Sequence, residues 1–333
     1  MYQWQLLPQG YAGVTSTECT NKGCCWSPAG DNSATPWCFY SDTTSSSEYS
    51  LSNVQETATG FTGQLSLVGD GNTVYGDSIK NLKLSVIYEA NDYVRVKITD
   101  MDSTRWEVPT SLVPRPSAST KASSPTYTLN YTETPFSFEV FRNSDSASIF
   151  QFSSEFLFKD QYIEFTVPFS AEAKTFGLGE SARTHHALSA GSTFTLWARD
   201  EPAAVLDTNL YGSFPYYLQL LDGRAHGAML FNSNGMDVRL YEDSLKFQVI
   251  GGVVDLYVFT GSSPSDVVRQ YTDVVGRPVM QPYWAFGFHV SVPFSLCMCV
   301  CDWSRDPRTA NTATPASTKW RRWFSSTRLP RFP

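Results

Sequence analysis

At 333 residues, with 41% hydrophobic and 17% charged positions, the chain has enough material for a large core and for two or three domains. Its formal charge of −7, with no Lys/Arg-rich stripe before the final segment, argues against nucleic acid as a partner. No run of eighteen or more apolar residues occurs, so the sequence offers no helical membrane span.

Met1 to Gly10 lack the charged n-region and apolar h-region of a secretory signal, so no signal peptide is read in this chain. The cysteines nevertheless suggest an oxidising compartment. They fall into two groups, Cys19, Cys24, Cys25 and Cys38, then Cys297, Cys299 and Cys301, with none between. Gly23, Pro28, Gly30, Asn32 and Pro36 fill the first cluster with turn chemistry and no helical or strand period. So short a module cannot bury a core, and small secreted modules compensate with disulfides. Zinc is the rival reading, although adjacent Cys24 and Cys25 do not supply paired C-x2-C spacing.

Ser41 to Ser50 reads as a Ser/Thr-rich spacer. Strand signals follow. Leu82, Leu84 and Val86 alternate with polar residues, as do Val94, Val96 and Ile98, then Phe136, Phe138 and Val140, then Ile163, Phe165 and Val167. Period-two alternation in short segments predicts antiparallel sheets with one buried face each, an all-β sandwich over residues 50–263. The 14% aromatic content suits strands and would also suit a sugar binder. Turns fall at Gly69-Asp70-Gly71-Asn72 and Ala90-Asn91-Asp92, and Pro114 to Pro125 is an exposed loop by composition. Asn130-Tyr131-Thr132 is an N-glycosylation sequon. A helical pattern first appears at Pro264 to Val275, and residues 264–289 read as helix and linker. From residue 290 to 333 no period is sustained. C-x-C-x-C at Cys297, Cys299 and Cys301 hints at metal, but incidental composition accounts for it as well, and no metal site or cofactor is expected.

Several strings together carry a family resemblance. Cys19-Thr-Asn-Lys-Gly-Cys24-Cys25-Trp26, followed by Pro36-Trp37-Cys38-Phe39-Tyr40, resembles the second half of a trefoil (P-type) module over residues 1–41. Thr195-Leu-Trp197-Ala-Arg199-Asp200, Asn209-Leu-Tyr211-Gly212-Ser-Phe-Pro215-Tyr-Tyr217 and Asn232-Ser-Asn234-Gly235-Met236-Asp237-Val238 resemble glycoside hydrolase family 31. So do Gly251-Gly252, Asp255-Leu-Tyr257 and Gly276-Arg277-Pro278, with Pro282-Tyr-Trp284-Ala-Phe-Gly287-Phe288-His289 similar to the approach to that family's barrel. Arg105-Trp106-Glu107-Val108-Pro109, Asp160-Gln161-Tyr162 and Phe176-Gly177-Leu178-Gly179-Glu180 lie between them in order.

The resemblance implies a galactose-mutarotase-like β-sandwich behind a partial trefoil, as in lysosomal, intestinal and plant-type α-glucosidases. It implies a secreted, lysosomal or vacuolar location and an α-glucan or maltooligosaccharide substrate for the whole protein. It also implies a Cys19–Cys38 bridge, leaving Cys24 and Cys25 without partners. The family's aspartate nucleophile and acid/base sit in a (β/α)8 barrel, and no string like W-x-D-M-N-E occurs here. The expectation is therefore a fragment lacking the barrel and inactive alone; a secreted carbohydrate-binding or regulatory module is the alternative.

The resemblance places Asp200 at the substrate-binding end of the pocket, where an ionised oxygen can accept charge-assisted hydrogen bonds from sugar hydroxyls. Other carboxylates, Asp100/Asp102 and Glu201/Asp207, read as solvated loop residues. His185 and His186 are neighbours that a strand would point to opposite faces, so they read as loop residues and not as a metal pair. Trp197, Tyr211, Tyr216 and Tyr217 could stack on sugar rings or fill the core.

Overall fold

A computed structural model describes residues 14–21, 24–28, 37–39, 47–69, 71–73, 76–115, 120–202 and 204–287. The N-terminal part holds a short helix α1 (Ser16–Asn21) and two-residue strands β1 (Cys25–Trp26) and β2 (Cys38–Phe39), paired antiparallel. Composition alone predicted no regular element here. The helix forms because Thr15 and Glu18 cap it reciprocally: Thr15 Oγ1 accepts from Glu18 N at 3.2 Å, and Thr15 N donates to Glu18 Oε2 at 2.9 Å. Cys19 and Cys38 form a disulfide with Cα atoms 5.7 Å apart, and both pack with buried Cys24 against Val14 and Trp26.

Strands then follow in close succession: β3 (Glu48–Thr57), β4 (Gly60–Val68), the minor β5 (Asn72–Thr73) and β6 (Gly76–Asp77), β7 (Asn81–Ile87) and β8 (Tyr93–Asp100). Next come β9 (Tyr127–Glu133), β10 (Phe136–Arg142), β11 (Ala147–Phe152), β12 (Phe156–Phe158), β13 (Ile163–Pro168), β14 (Lys174–Gly179) and β15 (Thr193–Leu196). The last are β16 (Phe214–Leu221), β17 (Arg224–Leu230), β18 (Met236–Leu240), β19 (Ser244–Val249) and β20 (Val254–Ser262), and helix α2 (Pro264–Val275) closes the series. The four alternating stretches named from the sequence lie in β7, β8, β10 and β13, and the apolar residues named in them are all buried. The expected spacer ends earlier than composition suggests. β3 begins at Glu48, and the buried Tyr49 stacks on Phe156 with ring centroids 4.7 Å apart.

Eight strands form one antiparallel sheet in the order β14-β16-β17-β20-β8-β7-β4-β3, five form a second in the order β12-β13-β19-β18-β15, and three form a third, β11-β10-β9. Their inner faces enclose a single core in which Phe138, Phe152, Phe165 and Phe247 stack or tilt against one another at 4.9–5.3 Å. Among the described residues this is an all-β sandwich, and no alternating strand–helix barrel occurs.

The middle of the large sheet is buried on both sides. Along β20, Val254, Leu256 and Val258 face the sandwich core, whereas Tyr257 and Phe259 enter a second core under α2 with Tyr216, Met229, Val267 and Val274. Such a strand reads as a continuous apolar run and not as an alternation. Helix α2 starts at a capping box, Ser263 with Asp266, followed by Pro264, and packs on β20, β17 and β16. Residues through Gly276 form one compact unit and Arg277 begins another, so the helix, grouped with the linker in the sequence reading, lies with the sheet. Residues 290–333, Cys297, Cys299 and Cys301 included, lie outside the described residues.

Two buried polar groupings brace the large sheet, one on each face. Arg95 on β8 holds Asp255 on β20 with both its Nε and Nη2, at 2.8 and 2.9 Å, and reaches Glu89 at 3.2 Å. Burial raises the Glu89 carboxyl above its ordinary value, an effect Arg95 only partly offsets. His226 on β17 sits 3.1 Å from Gln219 Oε1 across the β16–β17 register, and Gln219 Nε2 donates to Thr175 at 3.1 Å. Burial pushes the imidazole down to about 4, with Arg142 nearby acting in the same direction.

Candidate functional site

The strings that suggested a sugar-processing family meet at connections between strands. After β15 the chain leaves Leu196, which is buried, and presents Trp197, Ala198, Arg199 and Asp200 to solvent. Asn209, buried at the far side of this loop, anchors it. Its Oδ1 accepts from Trp197 N at 2.7 Å, and its Nδ2 donates to Glu180 O at 2.9 Å and Gly212 O at 2.7 Å. Glu180 completes the frame: its Oε2 accepts from Gly212 N at 2.8 Å, and its backbone pairs with Gly212 O and Leu210 N. Arg199 N donates to Leu210 O at 2.8 Å, which fixes the residue just before Asp200.

Asp200 itself is exposed, and so is Tyr211, whose phenol interacts with its carboxylate. The Asp200 carboxylate holds that phenol above its ordinary value. The carboxylate thus stands open to solvent. An acceptor-only group in this state suits hydroxyl donors.

Two indoles flank the next corner. Trp197 is 59% exposed, and its ring lies against Gly235, where a Cβ would come within 2.3 Å of it. A glycine leaves the room this close approach needs. Trp106, 58% exposed, donates from Nε1 to Ser233 Oγ at 2.9 Å. Asn232 locks the corner between these contacts, donating to Gly251 O and Val253 O and accepting from Asn234 N. Gly252 adopts φ +79°, and a Cβ there would sit 2.5–2.6 Å from the side chains of Asn234 and Asn232. Arg105 seals the base, donating to Gly252 O and Lys159 O with its guanidinium 4.9 Å from the Phe158 ring centroid.

The aromatics proposed from sequence divide. Trp197 and Tyr211 stand exposed; Tyr216 and Tyr217 are core residues on opposite faces of β16, as period-two alternation requires. His185 and His186 are exposed in a loop, and no metal-holding cluster of His, Cys, Asp and Glu occurs among the described residues. Asp100 is committed to a turn, accepting from the backbone of Asp102 and Ser103. Glu201 lies 3.9 Å from Arg199, and Asp207 sits at φ +59°. Trp106, Asn209 and Glu180 lay inside the quoted strings, yet nothing in the strings reveals their roles. A hub such as Asn209 is defined by partners 3 to 29 residues away.

Residues 80–238 match the Glycosyl hydrolase 31 N-terminal galactose mutarotase-like domain, and residues 7–41 match the Trefoil (P-type) domain. The chain carries the N-terminal domain of glycosyl hydrolase family 31. Alpha-xylosidase 1 of Arabidopsis thaliana is 40% identical over 263 residues, which cover 72% of this chain and 29% of that protein. Lysosomal alpha-glucosidase of Mus musculus is 37% identical over 286 residues, 84% of this chain and 29% of the relative. The family 31 chain therefore spans a little under a third of the length of these relatives. A glucosidase II alpha subunit structure superposes with TM-score 0.60 at 15% identity, over 73% of this chain and 36% of that one. A family 31 dextranase from Flavobacterium johnsoniae gives 0.55 at 17% identity, over 73% and 30%. At such identities the likeness is one of fold.

Proposed function

We propose that this chain forms the β-rich flank of an α-glycosidase that removes terminal α-linked glucose from maltose-type oligosaccharides, with Asp200 at the substrate-binding end. The observation that carries this reading is the setting of Asp200: exposed, next to residues that Asn209 and Leu210 tie down at Trp197 N and Arg199 N, in a connection that Glu180 also braces at Gly212. Preorganised acceptors of this kind lose little entropy on meeting a sugar hydroxyl. The exposed face of Trp197 beside it suits the apolar face of a pyranose ring. Passage through a secretory, lysosomal or vacuolar compartment agrees with the lysosomal relative and with a cysteine bridge.

By itself the chain is catalytically inactive. Retaining hydrolysis needs two carboxyl groups about 5–5.5 Å apart, one as nucleophile and one as acid then base. The pairs close in sequence are spent on a backbone turn at Asp100 and an ion pair at Glu201. Maltose and an aryl α-glucoside incubated with the chain alone should show no turnover. Turnover abolished by a substitution in this chain would overturn that statement. In a full-length protein carrying this segment, Asp200→Asn should raise KM for maltose roughly tenfold or more, the loss of a charge-assisted hydrogen bond. An unchanged KM would overturn the role of Asp200.

The exposure of both Trp106 and Trp197 favours a second reading, a secreted carbohydrate-binding or regulatory module without hydrolysis. Calorimetric binding of maltotriose to the chain alone, lost in Trp197→Ala, would support that reading over the first.

A further inference from the structure

The sequon Asn130-Tyr131-Thr132 lies in β9, the terminal strand of the three-stranded sheet. Alternation along β9 sends Tyr127 and Leu129 to the core and leaves Thr128, Asn130 and Thr132 on the outer face. Asn130 is exposed there, opposite Glu139 on β10, with exposed Gln151 on β11 beyond it. This outer face is polar and needs no further cover. Thr132, in contrast, is engaged. Its Oγ1 donates to Pro135 O at 2.8 Å and lies 2.7 Å from Ser137 Oγ across the hairpin. Every residue of β9 is paired to β10, from Tyr127–Arg142 to Glu133–Phe136.

We propose that Asn130 is N-glycosylated, and that sugar transfer precedes closure of the β9–β10 hairpin. The donor class is an oligosaccharide carried on a lipid diphosphate. The Asn130 carboxamide nitrogen forms a bond to the anomeric carbon, and the bond from that carbon to the diphosphate oxygen breaks with its electron pair. The lipid diphosphate leaves, the nitrogen gives up one proton to a base of the transferase, and nothing is oxidised or reduced. The sequon threonine must offer its hydroxyl to the transferase. In the folded chain that hydroxyl is spent on Pro135 and Ser137, so acceptance belongs to the nascent, unpaired segment. Once attached, the glycan projects from the polar face of an outermost strand and screens an edge that would otherwise invite pairing with another chain. The inference requires secretory passage but is independent of whether the chain takes part in hydrolysis.

The test expresses the full chain behind a secretory leader in a eukaryotic cell, pooling retained and secreted protein. Peptide mapping after enzymatic deglycosylation then shows whether Asn130 has become Asp. The expected result is one glycan at Asn130, lost in Asn130→Gln and Thr132→Ala and kept in Thr132→Ser. Folded, unglycosylated chain from a bacterial host should accept no sugar from oligosaccharyltransferase and its lipid-linked donor, whereas the same chain unfolded should accept it at Asn130. An unmodified Asn130 in the cellular protein would overturn the site. Transfer to the folded chain would overturn the order of events.

Discussion

Around Cys19 and Cys38 the chain buries three cysteines, with Val14 and Trp26 packed against them, and ties the group with one covalent bridge. Between the sheets it buries aromatic and aliphatic side chains from three sheets, with a second core under α2. The contrast shows how size selects the source of stability. A segment with two-residue strands removes too little apolar area from water to offset its chain entropy, so a bridge that restricts the unfolded chain supplies the difference. The sandwich has area in excess, at roughly 25 cal/mol per Å² buried. It can therefore tolerate costly features such as the buried Arg95–Asp255–Glu89 grouping and a neutral buried histidine.

The comparison breaks most sharply in the sandwich core. Phe247 is 1% exposed and stacks on Phe165 at 4.9 Å, so Phe247→Ala should cost about 3–5 kcal/mol, read as a lowered urea midpoint. A loss below about 1 kcal/mol would mean that the sheets do not depend on this packing.

A smaller effect follows from His226. Its folded pKa of about 4 lies below the ordinary 6.5, so the unfolded chain binds the proton first as pH falls. The stability tied to the neutral imidazole is complete above about pH 6.5 and is lost as pH drops toward 4, about 3 kcal/mol in all. Denaturation curves from pH 7 to 4 should show this slope, and His226→Gln should flatten it. An unchanged slope in the variant would assign the acid sensitivity to other groups.

The smallest effect on the sandwich should come from the bridge. Cys19→Ser with Cys38→Ser removes a link closing 19 residues of separation, which costs the N-terminal module about 3 kcal/mol. Limited proteolysis should then cut within residues 14–39, while the cooperative unfolding of the strand region stays within about 0.5 kcal/mol of the parent. A large shift in that transition would show that the two regions are energetically one.

Sequence by itself determined the strands whose two faces meet different solvents. Leu82, Leu84 and Val86 could be assigned to a buried face because alternation is local and needs no partner. The helical pattern read over Pro264 to Val275 was equally local, and the structure adds the capping box of Ser263 and Asp266 at its start. Family strings singled out Asp200 and the aromatics Trp197, Tyr211, Tyr216 and Tyr217, but could not say which aromatics were exposed. Tertiary structure alone decided that Tyr211 meets solvent while Tyr216 and Tyr217 enter two separate cores. It alone joined Arg95 to Asp255 across 160 residues and made Asn209 the anchor of the Asp200 loop. The physical reason is common to these cases. Periodicity and capping are set by backbone geometry over a few residues, whereas burial on both faces of a strand and hydrogen bonds between distant loops exist only once the sheets have packed.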